Sequence, residues 1–192
     1  MSSTASNTAH SVGGSMVAMQ GMDCVAIATD HAADNNLFRV SRRLFCGFEG
    51  PKNDIIAVCM NIRQKLRLQV ITPDIYIKNL SNILYEQRPK PYQVDCIVLG
   101  LQPGTMRPFI STLDMLGVPN ELDDFVAIGK RSPQLHATCE ALWKPKMEPA
   151  DLLQTISSSI LADTDPKVTI GALVYVVERG RITESTVEIE ED

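Results

Sequence analysis

The residues able to do chemistry lie closest together between Gly13 and His31. Asp30 closes an apolar run that starts at Cys24, and a second apolar run, Ser15–Gln20, precedes it across the polar step Gly21–Met22–Asp23. Two short apolar runs around a tight polar step read as a hairpin of buried strands. The paired glycines Gly13 and Gly14 and the carboxylate of Asp30 then fall at the same end of the hairpin, where a catalytic site could be framed. His31 adjoins the acid as a candidate base, but no nucleophile is spaced to meet it, so it reads as a loop histidine. Cys24 and Cys46 are candidate thiol nucleophiles; a reactive thiol needs a depressed pKa and a positioned base, and nothing in the sequence supplies either. His136 falls between core positions of a helical stretch and reads as a packed or exposed side chain rather than a ligand.

The rest of the chain must hold that hairpin in place. Leu37–Val40 and Leu44–Phe48 read as short strands joined by Ser41–Arg43. From Asn53 the period changes. Ile55, Val58, Cys59, Ile62 and Leu66 follow the spacing of one helix face, and Arg63, Lys65 and Arg67 gather at its C-terminal end, where the macrodipole favours cations. Thr72-Pro73-Asp74 predicts a second helix, with a capping hydroxyl, a first-turn proline and a first-turn acid; Ile77, Leu80 and Leu84 face inward, and the helix ends before Pro89. Strands return at Gln93–Leu101, Arg107–Leu113 and Asp123–Gly129. Ser132–Pro133 predicts a third helix with Ser132 as its cap and Trp143 at its end. Pro149 opens a fourth, carrying Leu153, Ile156 and Ile160 and broken at Asp163–Lys167. A hairpin of Thr169–Val177 and Arg181–Ile189 closes the chain. Strands in groups and helices in consecutive pairs, with no G-x-G-x-x-G and no P-loop, predict an α+β fold with an antiparallel core and a helical pair over each face.

A chain of 192 residues is long enough to bury most of its apolar surface in one domain without covalent staples. Residues 1–12, rich in Ser, Thr, Asn and Ala, lack the charged start and apolar segment of a secretory signal and are expected to be a flexible leader. Residues 13–187 form the expected single domain, and residues 188–192, with Glu188, Glu190, Glu191 and Asp192, a solvated acidic tail. A net charge of −5 provides no basic stripe, which argues against nucleic acid as a partner. No apolar run approaches the roughly 20 residues of a membrane span. The five cysteines are odd in number and contain no C-x-x-C pair, so they read as reduced core residues of a cytosolic or nuclear protein rather than disulfides or a zinc site. No metal cluster and no cofactor site is indicated.

Several strings occur in a telling order: Gly13-Gly14, Cys24-Val-Ala-Ile-Ala-Thr-Asp30, Leu84-Tyr85-Glu86, Pro91-Tyr92, Thr112-Leu-Asp-Met-Leu-Gly117, Asp123-Asp-Phe-Val126, Cys139-Glu-Ala-Leu-Trp143 and Asp151-Leu-Leu-Gln-Thr-Ile-Ser157. Together they resemble the proteasome core-particle beta subunits of type 3, non-catalytic members of the N-terminal-nucleophile hydrolase family. The resemblance runs from about Val12 onward. It implies a four-layer αββα sandwich, two antiparallel sheets between two helical layers, which agrees with the element order.

In active beta subunits, the resemblance implies, an N-terminal threonine attacks the peptide carbonyl while its own amine serves as base and a nearby lysine and aspartate tune the site. An alcohol needs such help, being too weakly acidic to attack unassisted at neutral pH. Aligned on Asp30, the threonine position falls on Gly14, which has no nucleophile. The lysine is absent: none occurs before Lys52, and the segment at Ser41–Arg42 is shorter than in the family, as is the connection from Leu68 to Pro73. The remaining family positions fall on Lys130, Lys167 and Ile170. Asp30 alone is the retained acid. Cleavage after Gly14 would expose Ser15 as an alternative nucleophile, making the chain an active peptidase; Ser15 is one residue out of register, which in a strand points to the opposite face. The main expectation is an inactive subunit of a threonine-type endopeptidase complex. It would contact other beta subunits and alpha-ring subunits in ATP- and ubiquitin-dependent protein degradation, in cytoplasm and nucleus. The resemblance also implies that it lends residues to the substrate pocket of an adjacent trypsin-like subunit, placed here at Ser111 and Asp114. A divergent paralogue acting outside the particle is the further alternative.

Overall fold

The computed structural model describes residues 14–30, 36–162 and 171–188; the proposed leader, His31, Lys167, Ile170 and residues 189–192 lie outside them. The opening hairpin forms from β1 (Ser15–Gln20) and β2 (Cys24–Asp30), paired antiparallel from Met16↔Thr29 to Gln20↔Val25. Every residue of β2 is buried, because both of its faces are covered. Val17, Met19, Ala26 and Ala28 join the core under one helical pair, whereas Met16, Ala18, Val25 and Ile27 face a second sheet, as the two-residue repeat of a strand requires.

The remaining strands are β3 (Leu37–Ser41), β4 (Leu44–Glu49), β5 (Asp95–Leu101), β6 (Pro108–Leu113), β7 (Pro119–Leu122), β8 (Phe125–Gly129), β9 (Gly171–Glu178) and β10 (Ile182–Glu188). They make two five-stranded sheets, β10-β9-β2-β1-β8 and β3-β4-β5-β6-β7, with every pairing antiparallel. The helices are α1 (Lys52–Leu66), α2 (Pro73–Glu86), α3 (Ser132–Leu142) and α4 (Pro149–Leu161). α1 and α2 cover the β3–β7 sheet, and α3 and α4 cover the other. A third core fills the space between the sheets. This is the expected αββα sandwich.

Local chemistry accounts for the element ends. The five apolar positions read for α1 are its buried residues, and burying each such side chain stabilises by about 1.5–3 kcal/mol. Asp54 in its first turn accepts the Gln93 N–H at 2.9 Å, tying the helix to the entry of β5. The Thr72 hydroxyl caps α2, accepting the Ile75 N–H at 3.3 Å. Ser132 does not cap α3: it is the first helical residue, and Arg131 holds the cap position without a side-chain bond. Strand β7 was not predicted, because Pro119-Asn-Glu-Leu122 is mostly polar and exposed, the composition of an edge strand. Glu188, assigned to the tail, is the last residue of β10 and pairs with Gly171. At the far end of the hairpin, the Trp143 indole N–H donates to the Gln20 carbonyl at 2.9 Å, and the Met22 N–H donates to the Met147 carbonyl at 2.8 Å.

Candidate functional site

Asp30 ends β2 with its side chain 8% exposed. Beside it β1 begins, and the Ser15 N–H donates to Asp30 Oδ2 at 3.0 Å. Ser15 is fully buried, and its Oγ accepts the Arg131 backbone N–H at 3.0 Å. Its nitrogen is a peptide nitrogen bonded to Asp30, and its hydroxyl oxygen accepts from the Arg131 amide. Gly14 is buried too, and its carbonyl accepts the Lys130 N–H at 3.3 Å. That close approach depends on Gly129, the last residue of β8, whose φ is 98°. A Cβ there would stand 2.3 Å from the Gly14 carbonyl oxygen and 2.8 Å from the Ser15 Cα.

The cation facing Asp30 is Arg131. Its Nη2 lies 3.9 Å from Asp30 Oδ2, while Nη2 and Nη1 donate to the carbonyls of Ile160 and Ala162 at 2.8 and 3.1 Å. The last carbonyls of a helix have no intrahelical donor, and a cation there is favoured by the macrodipole. Arg131 therefore ties three elements together: the end of β2, the entry of α3 and the end of α4. Sequence reasoning missed it. Its one signal was its place next to Lys130, a position already mapped onto the family's site; nothing local announces a pairing with Asp30.

A second acid reaches the same end from the other sheet. Glu49, the last residue of β4, sits directly opposite Asp95 of β5, and like charges so placed repel. Burial, then the charges of Asp30 and Asp95, push its carboxyl up to about 7. Its Oε2 is buried with no hydrogen-bond partner among the described residues. For an acid whose folded pKa is raised, the folded state binds the extra proton. Stability is then highest below the ordinary carboxylate range and falls as pH rises through 7. Glu49→Gln should consequently stabilise the chain by about 1 kcal/mol at pH 8, discounted for partial exposure, and by little at pH 5. Urea unfolding at the two pH values checks it; an equal effect at both would refute the titration.

The family model described as "Proteasome subunit" matches residues 10–177. The chain belongs to the proteasome subunit family. It is similar to "Proteasome subunit beta type-3" of Drosophila melanogaster, 39% identical over 198 aligned positions that cover 94% of this chain and 97% of that one. The proteins of the same name from Saccharomyces cerevisiae and Picea mariana are 34% and 31% identical, covering 94% and 92% of this chain and 96% and 95% of theirs. An alignment of 198 positions exceeds the 192 residues of this chain. The fly protein thus carries residues for which this one has no counterpart, consistent with the shortenings read from the sequence.

In this proteasome-family chain the two residues assigned to a neighbour's pocket do not come together. Ser111, buried on β6, lines a groove of about 500 Å³ beneath α2 with Asp74, Lys78, Gln102 and Glu121. Asp114 lies outside that groove, in the turn after β6. There its Oδ1 accepts the N–H groups of Leu116 and Val118 at 2.9 and 3.0 Å. Its charge, after burial, contributes to raising the pKa of Asp95, which places Asp114 at the same end of the sandwich as Glu49 and Asp30.

The two candidate thiols are packed core residues. Burial pushes the Cys24 thiol up to about 12 and the Cys46 thiol well above its ordinary value, the reverse of activation. His136 lies exposed against the edge of Phe125, ring centroids 5.1 Å apart. Among the described residues no group of His, Cys, Asp and Glu is arranged to hold a metal ion, and no helix is long and apolar enough to cross a membrane.

Proposed function

We propose that this chain is a non-catalytic beta subunit of the proteasome core particle, serving as a structural member of the beta ring. The observation that carries this reading is the filled end of the hairpin. Where an active relative needs a free α-amine and a hydroxyl, Gly14 offers no side chain, and Ser15 and Arg131 occupy the space around Asp30 with fixed hydrogen bonds. The acid keeps a structural task, anchoring the start of β1 and the Arg131 guanidinium. In assembled particles, an electrophilic peptide probe that labels N-terminal nucleophiles is expected to leave this chain unmodified while labelling its catalytic neighbours. Mass-spectrometric detection of the probe on Ser15 would overturn the reading.

Its partners are the neighbouring beta subunits and the facing alpha ring, and its location is that of the particle, cytoplasm and nucleus. Co-migration with other core subunits on a native gel tests this, against an isolated species outside the particle. A contribution to an adjacent trypsin-like pocket falls to Asp114, whose negative charge would favour basic substrate side chains. Asp114→Asn is a clean variant, because the amide oxygen can still accept the Leu116 and Val118 N–H groups that hold the turn. Trypsin-like activity of particles carrying it is expected to fall by about three- to tenfold, in keeping with the loss of one charge contact; unchanged activity removes Asp114 from the pocket.

A further inference from the structure

The turn from β3 to β4 and the turn from β9 to β10 stand side by side, at the end of β9 opposite to the one that pairs with Asp30. Arg43 joins them, its Nη2 donating to the Arg179 carbonyl at 2.6 Å. Between the turns lies a hollow of about 250 Å³ lined by Arg39, Arg42, Arg43 and Arg181, with Glu178 as the one carboxylate of the lining among the described residues. Glu178 is already engaged, accepting the Arg181 Nε–H at 2.6 Å. Three cations remain without an acid: the ion pairs among the described residues engage Lys65, Arg131 and Arg181, not Arg39, Arg42 or Arg43. Glu184, the other carboxylate nearby, lies opposite Tyr175 on β9 and is outside the lining. In a chain of net charge −5, this is a local concentration of positive charge, and a concave surface of one sign draws ions of the other. Both turns and the strands entering them lie within the described residues.

The guanidiniums are oriented without being neutralised. Arg43 gives one of its five N–H groups to the Arg179 carbonyl, and Arg39 gives two, to the carbonyls of Ser41 and Arg42 at 3.3 and 3.1 Å. Carbonyl oxygens carry no net charge, so these bonds fix the direction of the remaining donors and leave both cations intact. Arg42 is exposed, and its side chain makes no hydrogen bond among the described residues. A hollow of this size is below the roughly 300–1,000 Å³ of sites for drug-sized ligands, so it fits a compact group. Guanidinium forks match the paired oxygens of phosphate. A single phosphate ester carries a charge of about −1.5 to −2 at neutral pH, short of three cations, and two linked phosphates come nearer to balance. Arg42 and Arg43 also border a second hollow of about 200 Å³, whose walls include Ile71, Pro103 and Met106. Apolar walls beside charged donors suit the organic part of the same molecule.

We propose that the two turns form a binding site for a small molecule that carries a diphosphate group. Arg42 and Arg43 hold the diphosphate, Arg39 completes the balance of charge, and the rest of the molecule lies over Ile71, Pro103 and Met106. The inference stands whether or not the hairpin end at Asp30 is silent, since it uses none of those residues.

The test is isothermal titration calorimetry of the full chain with inorganic diphosphate. Binding is expected with a Kd below about 1 mM, weakening with added salt as partly exposed charge pairs are screened. Inorganic phosphate and citrate, the second a carboxylate anion of similar charge, should each bind at least about tenfold more weakly. Arg42→Gln is the clean variant, because that side chain holds nothing within the chain, and it should weaken diphosphate binding about tenfold. Arg67→Gln, beyond the end of α1, should leave it unchanged. In assembled particles, diphosphate is expected to protect Arg42 and Arg43 from phenylglyoxal, an arginine-selective reagent, as mapped by mass spectrometry. The proposal is overturned by no binding at about 1 mM, by equal affinity for diphosphate and citrate, or by Arg42→Gln and Arg67→Gln behaving alike. Failure of the reagent to reach either arginine in free particles would show the site covered by a neighbour and overturn it as well. Tighter binding of a doubly phosphorylated peptide than of diphosphate would give the site to a partner chain and overturn the small-molecule assignment.

Discussion

Replacing Arg131 by methionine is expected to lower the folding stability of the chain by about 2–4 kcal/mol. Removing one partner of a buried ion pair leaves the other charge uncompensated and costs about 3–5 kcal/mol. The 3.9 Å separation from Asp30 and the 23% exposure of the Arg131 side chain place this pair toward the lower part of that range. Two further losses work in the same direction. The carbonyls of Ile160 and Ala162 lose their donors, and bonds from a charged donor contribute about 1.5–3 kcal/mol each where they are well formed. Methionine keeps the length and apolar stem, so the loss reads on the guanidinium rather than on packing. Urea unfolding of wild type, Arg131→Met, Asp30→Asn and the double variant makes a complete cycle. A coupling energy near zero would show that the pair is a neighbourhood and not an interaction. Arg131→Lys should recover part of the loss, since an ammonium can face Asp30 or one carbonyl but cannot bridge both carbonyls at once.

The second large effect is expected at Gly129. Alanine there must adopt a φ of 98°, unfavourable for an L-residue, and its methyl would meet the Gly14 carbonyl oxygen at 2.3 Å and the Ser15 Cα at 2.8 Å. Both obstacles are backbone, so no side chain can swing aside. Strain of about 1–2 kcal/mol from the dihedral, together with about 1–3 kcal/mol of overpacking, predicts a loss of roughly 3 kcal/mol or more. The damage should begin where β1 meets β8, visible as early hydrogen exchange of the Ser15 and Lys130 amides. Gly180 is the matched control: no atom lies within 4 Å of a Cβ built there, and Gly180→Ala should change stability by less than about 0.5 kcal/mol. A Gly129→Ala chain as stable as this control would mean that β1 and β8 can separate without cost.

The architecture was legible because it is written in local patterns. The buried face of α1 follows from helical spacing, the start of α2 from its Thr72–Pro73 step, and the opening hairpin from two apolar runs around a polar turn. What failed to show had no local pattern to carry it. Strand β7 owes its existence to pairing with β6, not to its own composition. Ser132 has the right chemistry for a cap, yet the helix begins one residue earlier than that role needs, with Arg131 at the cap position and its amide bound to the Ser15 hydroxyl. The site divides the same way. Gly14 and Asp30 were found from the hairpin and the family resemblance. Arg131 and Glu49 were not, since each meets Asp30 only once distant strands and helices are assembled. Ser111 and Asp114, separated in the sequence by Thr112 and Leu113, part company because a strand sends Ser111 under α2 while the following turn claims Asp114.

Trp143 is the one tryptophan in the chain, and its indole is fixed between the Gln20 carbonyl and the Phe125 ring, whose centroid lies 5.8 Å away. Its fluorescence therefore reports on a single layer, the sheet of the opening hairpin with α3 and α4. Of the four tyrosines, Tyr76, Tyr85 and Tyr92 belong to the opposite half of the sandwich, whereas Tyr175 lies on β9 in the hairpin's own sheet, against Phe45 of the other. Tryptophan-selective emission therefore follows one half while far-ultraviolet circular dichroism follows the helices of both, and the two unfolding curves will superimpose if the inter-sheet core binds both halves into one cooperative unit.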